Sequence, residues 1–181
     1  MIQREEAFAL LNQHIANRNL VKHCLAVESV MQALARLLTE DESLWGLTGL
    51  LHDLDYAETV REPARHAHRT CEMLAGQLPT EALHAILAHP DHVPPETKYD
   101  WALYCADPVT GLVVAAALMH PAKRLSAVDL DFLKRRFAEK RFAAGASREQ
   151  IAKCSELGIL LDDFLLLSLE AMQGISDELG L

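Results

Sequence analysis

The sequence has no paired cysteines, no excess of basic residues and no long apolar run, and each absence excludes a class of protein. The net charge of −9 disfavours general nucleic-acid binding, which needs a basic surface. No apolar run approaches the roughly 18–20 residues that span a bilayer, so we expect no membrane association. The four cysteines form no Cys-x-x-Cys pair, which predicts reduced core residues rather than a disulfide framework or a zinc knuckle: Cys24, Cys71, Cys105 and Cys154.

The first residues also lack the pattern of a signal peptide. Glu5 and Glu6 stand where such a peptide needs a basic head and an apolar core, so we expect a cytoplasmic protein. The length of 181 residues suits a single domain, 1–181. Within it we expect a core that carries the site at about 20–120 and a C-terminal helical extension at about 121–181. Nothing in the sequence indicates the oligomeric state.

Positive charge is concentrated in one part of this acidic chain. Between residues 123 and 148, eight basic residues stand against three acidic ones. Such a stretch is typical of a solvated helix face, and it also fits a local phosphate-binding surface. Both interpretations stay open from the sequence. The basic residues are Lys123, Arg124, Lys134, Arg135, Arg136, Lys140, Arg141 and Arg148.

Apolar residues recur at helical spacing throughout, and no strand-like alternation occurs, which predicts an all-α fold. We expect a first helix with an apolar face from Ala7 to Ile15, a helix opened by Pro63, and one opened by Pro79 with Thr80 as its N-cap. Pro108 is expected to kink or split its helix. Ser147 is a predicted cap, and Gly145 and Gly158 are predicted stops. The remaining predicted helices cover about 20–38, 42–52, 98–119, 124–142, 147–156 and 161–179.

Residues that ligate metals interrupt these apolar helices at ordered positions. His23 lies early in the second helix, His52 and Asp53 end the third, and Asp107 lies inside the sixth. Each has a simpler explanation alone. His23 is a helix-end histidine, the His52-Asp53 pair a charge interaction followed by a turn, and Asp107 an N-cap before Pro108. Because Asp is rarely buried unpaired, their joint occurrence favours a metal site inside a helical bundle.

The ordered set of His23, His52-Asp53 and Asp107 resembles the HD superfamily of metal-dependent phosphohydrolases, whose signature is H…HD…D on a helical bundle. The resemblance covers about residues 20–120 and implies an HD-domain bundle with additional C-terminal helices. Two segments resemble the HDIG-type branch. In Arg65–Leu74, alignment on Glu72 places His66 at a ligand position, and Ile86–His89 resembles the second extra histidine.

The resemblance implies one or two divalent ions, with Mn, Fe, Co, Ni, Mg and Zn all compatible with the ligands. One ion would be held by His23, His52, Asp53 and Asp107. The second would be held by His66 and His89, with Asp53 bridging. The chain departs from the family in two places. His89-Pro90 replaces two consecutive histidines, so His92 is a further candidate ligand, and Leu54-Asp55-Tyr56 argues against a cyclic-dinucleotide phosphodiesterase.

The resemblance also implies a reaction, the hydrolysis of a small-molecule phosphate ester, with a nucleotide as the expected substrate. A metal-bound hydroxide would be the nucleophile, with Asp53 and Asp107 as the catalytic residues and Asp107 as acceptor of its proton. Two alternatives remain, a mixed-valent di-iron oxygenase and a non-catalytic regulator that binds metal or nucleotide, because a fold does not fix a function. Candidates to hold phosphate oxygens are Lys22, Arg69, Lys123, Arg124, Lys134 and Arg135.

Overall fold

The computed structural model describes all 181 residues, and its regular elements are helices. The predicted all-α fold is confirmed. Short 3₁₀ turns lie at 63–65, 125–127 and 153–157. The α-helices are Arg4–His14 (α1), Arg18–Leu38 (α2), Glu42–Leu51 (α3), Tyr56–Thr59 (α4), His68–Leu74 (α5), Thr80–Ala88 (α6), Lys98–Met119 (α7), Leu130–Ala138 (α8), Arg148–Ala152 (α9), Leu161–Gln173 (α10) and Ser176–Leu179 (α11).

Helix α2 lies at the centre and packs against α3, α7 and α10. It begins at Asn17, whose side-chain oxygen accepts a hydrogen bond from the Asn19 backbone N–H at 2.9 Å and satisfies a free N-terminal donor. Val27, Val30 and Leu34 are buried on its apolar face. The helix therefore places His23, in its second turn, beside the core.

Helices α2 and α3 approach each other at Gly49. A Cβ atom added there would lie 2.9 Å from the carbonyl oxygen of Val27 and 2.9 Å from the backbone nitrogen of Glu28. Because that is closer than real Cβ contacts come, the two backbones are in contact and a larger residue would force the helices apart. The C-terminal end of α3, with His52, is thereby held against α2.

Helix α7 begins with a reciprocal cap. The Thr97 hydroxyl accepts from the Asp100 N–H at 3.3 Å, and the Asp100 carboxylate accepts from the Thr97 N–H at 2.9 Å. The helix then continues through Pro108 to Met119, so a split at Pro108 is wrong. Pro108 is buried, and α7 as a whole packs against α2, α6 and α10; we attribute the continuity to packing that outweighs one lost backbone hydrogen bond.

Helix α7 is also long and apolar enough to cross a membrane by length and composition, with a mean hydropathy of 1.7 over 18 residues. It is not an uninterrupted apolar run, since Asp100, Asp107 and Pro108 lie within the helix. Of that window, 61% is buried inside the fold. Such burial is consistent with the core helix of a soluble protein.

Several predicted helices prove shorter than their apolar patterns. The segment 124–142 is helical only from Leu130 to Ala138, because Asp129 caps a new helix by accepting from the Phe132 N–H at 2.7 Å. In the segment 147–156 the α-helix ends at Ala152, and in the segment 161–179 the helix is interrupted after Gln173. The predicted cap at Ser147 and stop at Gly158 are confirmed.

The region between α3 and α6 also departs from the prediction. Pro63 opens a single 3₁₀ turn, and the helix after it begins at His68, following Ala67 with φ 64°. Thr80 is the first helical residue rather than the N-cap, because the Pro79 carbonyl already accepts the first hydrogen bonds of α6. The short helix α4 was not predicted.

Candidate metal centre

Four helices bring the predicted ligand residues to one place. His23 comes from α2 and Asp107 from the middle of α7. His52 and His89 occupy equivalent positions, each directly following the last residue of its helix, α3 or α6. Asp53 follows His52 in the turn after α3. His66, in the turn before α5, joins them, so six side chains meet although they span residues 23 to 107.

Asp53 lies at the centre of this cluster. Its Oδ2 is 3.6 Å from His23 Nε2, while its Oδ1 is 3.5 Å from His52 Nε2. The same Oδ1 lies 3.3 Å from His66 Nε2 and 3.6 Å from His89 Nε2. The two carboxylate oxygens thus face different histidines, the arrangement expected of a carboxylate between two sites.

Asp107 closes the other side of the cluster. Its Oδ1 lies 3.1 Å from His23 Nε2 and 3.7 Å from His52 Nε2. With metal–ligand bonds of about 2.0–2.2 Å, two ligand atoms on one ion lie roughly 3–3.6 Å apart. The observed separations are of that size, and two groups of three are each close enough to hold an ion: His23, His52 and Asp107, and His52, Asp53 and His89.

All four histidines point Nε2 inward because their Nδ1 atoms are engaged elsewhere. His52 Nδ1 lies 2.8 Å from the Gly49 carbonyl, and His89 Nδ1 lies 2.6 Å from the Ile86 carbonyl. A carbonyl only accepts, so each Nδ1 carries a proton and Nε2 is the nitrogen that is left to bind an ion. This is the tautomer that ligates metals through Nε2.

His23 is fixed in the same way by a hydroxyl. Thr110 donates its hydroxyl proton to the Asp107 carbonyl at 2.8 Å, so its oxygen accepts from His23 Nδ1 at 3.1 Å. His66 is fixed by a carboxylate, since its Nδ1 lies 2.8 Å from Asp55 Oδ1. Partners of this kind orient the rings and raise the basicity of ligating histidines.

Two features of the cluster point to a cation. His66 Nε2 and His89 Nε2 lie 3.2 Å apart, a hydrogen-bond distance when the protonated His66 donates and a separation that also fits two ligands of one ion. His52 Nε2 is buried and has no hydrogen-bond partner, a costly state for a polar atom. A metal ion would satisfy these nitrogens, so the buried His/Asp cluster fits a metal site. The donor set leaves the identity of the ion open.

The histidine pKa values reflect the competition between burial and charge. Burial acts to lower the pKa of His52 and of His66, but nearby carboxylates, led by Asp53, outweigh it and raise both to about 9. His89 behaves differently, because burial prevails and lowers its pKa. Even without metal, the cluster therefore attracts positive charge.

The carboxylates show the complementary effect. Burial acts to raise the pKa of Asp53, but the charge of His52 and the other histidines holds it well below its usual value. The pKa of Asp107 is lowered in the same way, with hydrogen bonding to His23 as the largest opposing contribution. Both carboxylates are thus ionised at neutral pH, the state in which they ligate metals.

Asp55 contacts His66 beside the cluster, and the sequence analysis did not include it in the site. Its side chain is fully buried and accepts from His66 Nδ1 and from the Thr70 N–H at 3.1 Å. Burial acts to raise its pKa, yet the hydrogen bond from His66 and the amide donors lower it. The sequence signal for this role is a second carboxylate two residues after Asp53. The sequence analysis used Asp55 only as part of a departure from signalling relatives.

Three cavities meet at His23 and open the cluster outward. The first, about 410 Å³, contains Asp53, His66, His89 and Asp107. The second, about 340 Å³, is lined by Asp107 and by the turn around Gly145. The third, about 490 Å³, lies on the far side of His23. The cluster is therefore reachable by a small molecule.

The C-terminal extension supplies part of these walls. Gln150 of α9 borders the first two cavities, and its side-chain N–H donates to the His89 carbonyl at 3.4 Å. The turn at 139–147 is held by Arg148, whose guanidinium donates to six backbone carbonyls between residues 136 and 146 at 2.5–3.4 Å. No sequence motif marked either residue for the site.

The structure does not bring His92 into the cluster. Its Nε2 lies 2.9 Å from the His66 carbonyl, and its ring packs on His68 at 4.6 Å between centroids. The turn after α6 directs the side chain to that carbonyl instead. The prediction of His92 as a further ligand is therefore not supported by its position.

Of the predicted phosphate-binding residues, only Lys22 borders a cavity next to the cluster. Arg69 pairs with Glu72 at 2.9 Å, and Lys134 pairs with Asp162 at 2.6 Å. Arg135 lies over the Phe132 ring on α8. These three side chains therefore already have partners, and none of them lines the three cavities. The cavities do not include Lys123 or Arg124 either.

Fold and cluster together define a class, the all-α proteins with a buried histidine–aspartate cluster that fits a divalent metal. The model of the HD domain family matches residues 20–112, about half of the chain, and that range contains all six clustered side chains. The chain belongs to the HD domain family. HD domains are typically metal-dependent phosphohydrolases. Searches of curated proteins and of solved structures returned no match.

Proposed function

We propose that this protein is a metal-dependent phosphohydrolase that acts on a small phosphate ester, with nucleotides as the first substrates to test. One observation carries the proposal: four imidazole Nε2 atoms surround two ionised carboxylates, and each Nδ1 is anchored so that Nε2 faces inward. Membership of the HD domain family supports the same reaction class.

In this proposal His23, His52, Asp53 and Asp107 hold one ion, while Asp53 bridges to a second. The oxygens of Asp53 support the bridging role, because Oδ2 faces His23 while Oδ1 faces His66 and His89, with His52 also near Oδ1. His66 and His89 hold the second ion, and their close Nε2 atoms support that assignment. We expect the ion to be Mn, Fe, Co, Ni, Mg or Zn.

When bound, divalent ions lower the pKa of water near to neutrality and stabilise the charge of a transferring phosphoryl group. The chain contributes the rest. Two divalent ions bring four positive charges and two carboxylates bring two negative ones, which leaves a positive centre for an anionic ester. Asp107, with 31% of its side chain exposed at the cavities, is placed to accept a proton. We propose Asp53 and Asp107 as the catalytic residues.

The proposal also covers partner and location. The centre would take a small-molecule phosphate through the cavities at His23, without nucleic acid or membrane. The four cysteines are all free thiols. This is consistent with the reducing cytoplasm that we propose as the location.

The test combines metal analysis with a substrate screen. Protein purified without chelator would be analysed for metals, reconstituted separately with each candidate ion, and assayed for phosphate release from nucleoside mono-, di- and triphosphates. Asp107→Asn is the test variant, because it retains the shape of the side chain and removes its charge. His14→Ala, on α1 and outside the cluster, is the control variant.

We expect phosphate release with at least one ion, and its reduction to background in Asp107→Asn alone. Oxygen consumption with bound iron and no phosphate release would establish the oxygenase instead. Tight nucleotide binding without turnover under every ion would establish a regulator. A protein that binds no metal after reconstitution would overturn the proposal altogether.

A further inference from the structure

The largest of the three cavities has walls unlike those of the other two. It lies between α2, α7 and the C-terminal residues, and its volume is about 490 Å³. Val114, Leu118 and Leu179 supply an apolar lining, while Lys22 is the one charged lysine or arginine side chain on it. Pockets of this size and character hold small organic ligands.

This cavity adjoins the metal cluster. His23 borders all three cavities, and Gly111 borders both the large cavity and the 340 Å³ cavity, which Asp107 also lines. A Cβ atom at Gly111 would meet no atom within 4 Å, so the space between the two cavities is open there. A molecule with its phosphate at the cluster could thus place its organic group in the large cavity.

The lining favours an aliphatic group over a nucleobase. No phenyl, phenol or indole ring borders the cavity, so a base would find no such ring on which to stack. The hydroxyl of Thr110 is already engaged with His23 and the Asp107 carbonyl, which leaves Asn19 and Lys22 as side chains free to read polar edges. Burial of methylene groups against the apolar walls is favourable instead.

We propose that this cavity is a specificity site for the organic group of the substrate, and that the preferred esters carry an aliphatic chain. The inference rests on the proposed hydrolase function. Water would add to phosphorus as the ester P–O bond breaks, releasing the alcohol and inorganic phosphate. The alcohol portion would occupy the apolar cavity, with Lys22 at its edge beside an anionic oxygen of the ester.

The first experiment measures kcat/KM for ethyl, butyl, hexyl and octyl phosphate beside adenosine monophosphate, using protein reconstituted with manganese. We expect kcat/KM to rise by about threefold per methylene until the cavity is filled, close to the transfer free energy of a methylene group. Hexyl phosphate should exceed the nucleotide. A flat series, or a nucleotide preferred to every alkyl phosphate, would overturn the inference.

Leu118 and Met119, which are neighbours on α7, provide a test position and its control. Leu118 lines the cavity and is 51% exposed, whereas Met119 is 66% exposed and does not line it. Both therefore tolerate asparagine without loss of core packing. Leu118→Asn is expected to lower the hexyl-to-ethyl ratio of kcat/KM by about tenfold, and Met119→Asn to leave that ratio unchanged. Equal ratios in both variants would contradict the assignment.

A binding measurement separates this inference from the proposed function. Alkylphosphonates carry a P–C bond that hydrolysis does not cleave, so their affinities are measurable by calorimetry whether or not the protein is a hydrolase. Affinity that rises with chain length and falls in Leu118→Asn supports the cavity even if no ester is hydrolysed. Phosphate release from every ester, with no chain-length effect in either experiment, would support the hydrolase proposal and contradict the role of the cavity as a specificity site.

Discussion

The two sides of the metal cluster differ in their access to solvent. His52 and His89 are 0% and 3% exposed, whereas His23 and Asp107 are 24% and 31% exposed. We call His52, Asp53 and His89 the buried side, and His23 and Asp107 the open side. The buried side is suited to retain an ion, since its ligands have few other partners. The open side is suited to admit a substrate.

The comparison is tested most strongly at Asp53, which belongs to both proposed sites. Asp53→Ala is expected to lose all bound metal and to reduce phosphate release to background, because both ions share this carboxylate. Metal content by elemental analysis and helicity by circular dichroism are the measurements. Asp53→Asn keeps the side-chain volume and controls for misfolding. Wild-type metal content in either folded variant would rule out a bridging role.

Removing His66 should distinguish one site from the other. His66→Ala is expected to lose one metal equivalent and keep the ion held by His23, His52 and Asp107, since His66 faces only Oδ1 of Asp53. Elemental analysis after reconstitution measures the ratio of metal to protein. His92→Ala is the matched control and should retain wild-type content. Loss of all metal in His66→Ala would show that the two sides cannot be loaded separately.

A change at Asp55 tests whether residues that hydrogen-bond to the proposed metal ligands control metal affinity. Asp55→Asn keeps an acceptor for His66 Nδ1 but removes the charge that the Thr70 N–H also contacts. We expect metal affinity to fall by about 10–100-fold, the usual effect of such partners. Competition against a fluorescent chelator measures it, with thermal unfolding as the check on folding. Unchanged affinity would make Asp55 a purely structural residue.

Arg148 tests the open side alone. Arg148→Met removes the donors to the carbonyls of the 139–147 turn, which forms a cavity wall next to Asp107. We expect the free energy of unfolding to fall by about 2 kcal/mol and KM to rise, with metal content unchanged. Denaturant unfolding and steady-state kinetics measure these effects, and Arg141→Met, at an exposed position in the same turn, is the control. Metal loss in Arg148→Met would show that the two sides are coupled.

The sequence predicted the parts of the site that depend on local helical structure. His52 and His89 each end a helix, where a carbonyl three residues earlier fixes the ring, and such helix ends can be read from apolar patterns. The cluster itself was predicted only through its resemblance to a known order of residues. No local pattern states which helices will meet.

The missed features depend on long-range contacts. Arg148 replaces helical hydrogen bonds over residues 136–146, so a side chain beyond the predicted helix ends the helical pattern that extended to residue 142. The basic stretch was left open between a solvated face and a phosphate surface. The structure pairs Lys134 with Asp162 of α10, a partner that the sequence alone does not reveal.

The close contact at Gly49 has a consequence for which ion the protein accepts. The same residue lets α3 touch α2 and supplies the carbonyl that orients His52, whose ring lies 5.2 Å from that of His23. The span between these two ligands is therefore set by how closely two helices approach. Gly49→Ala should shift the relative affinities a few-fold from nickel towards the larger manganese ion, measured by competition. Selection by ionic radius would then reside in a backbone contact as much as in the ligands themselves.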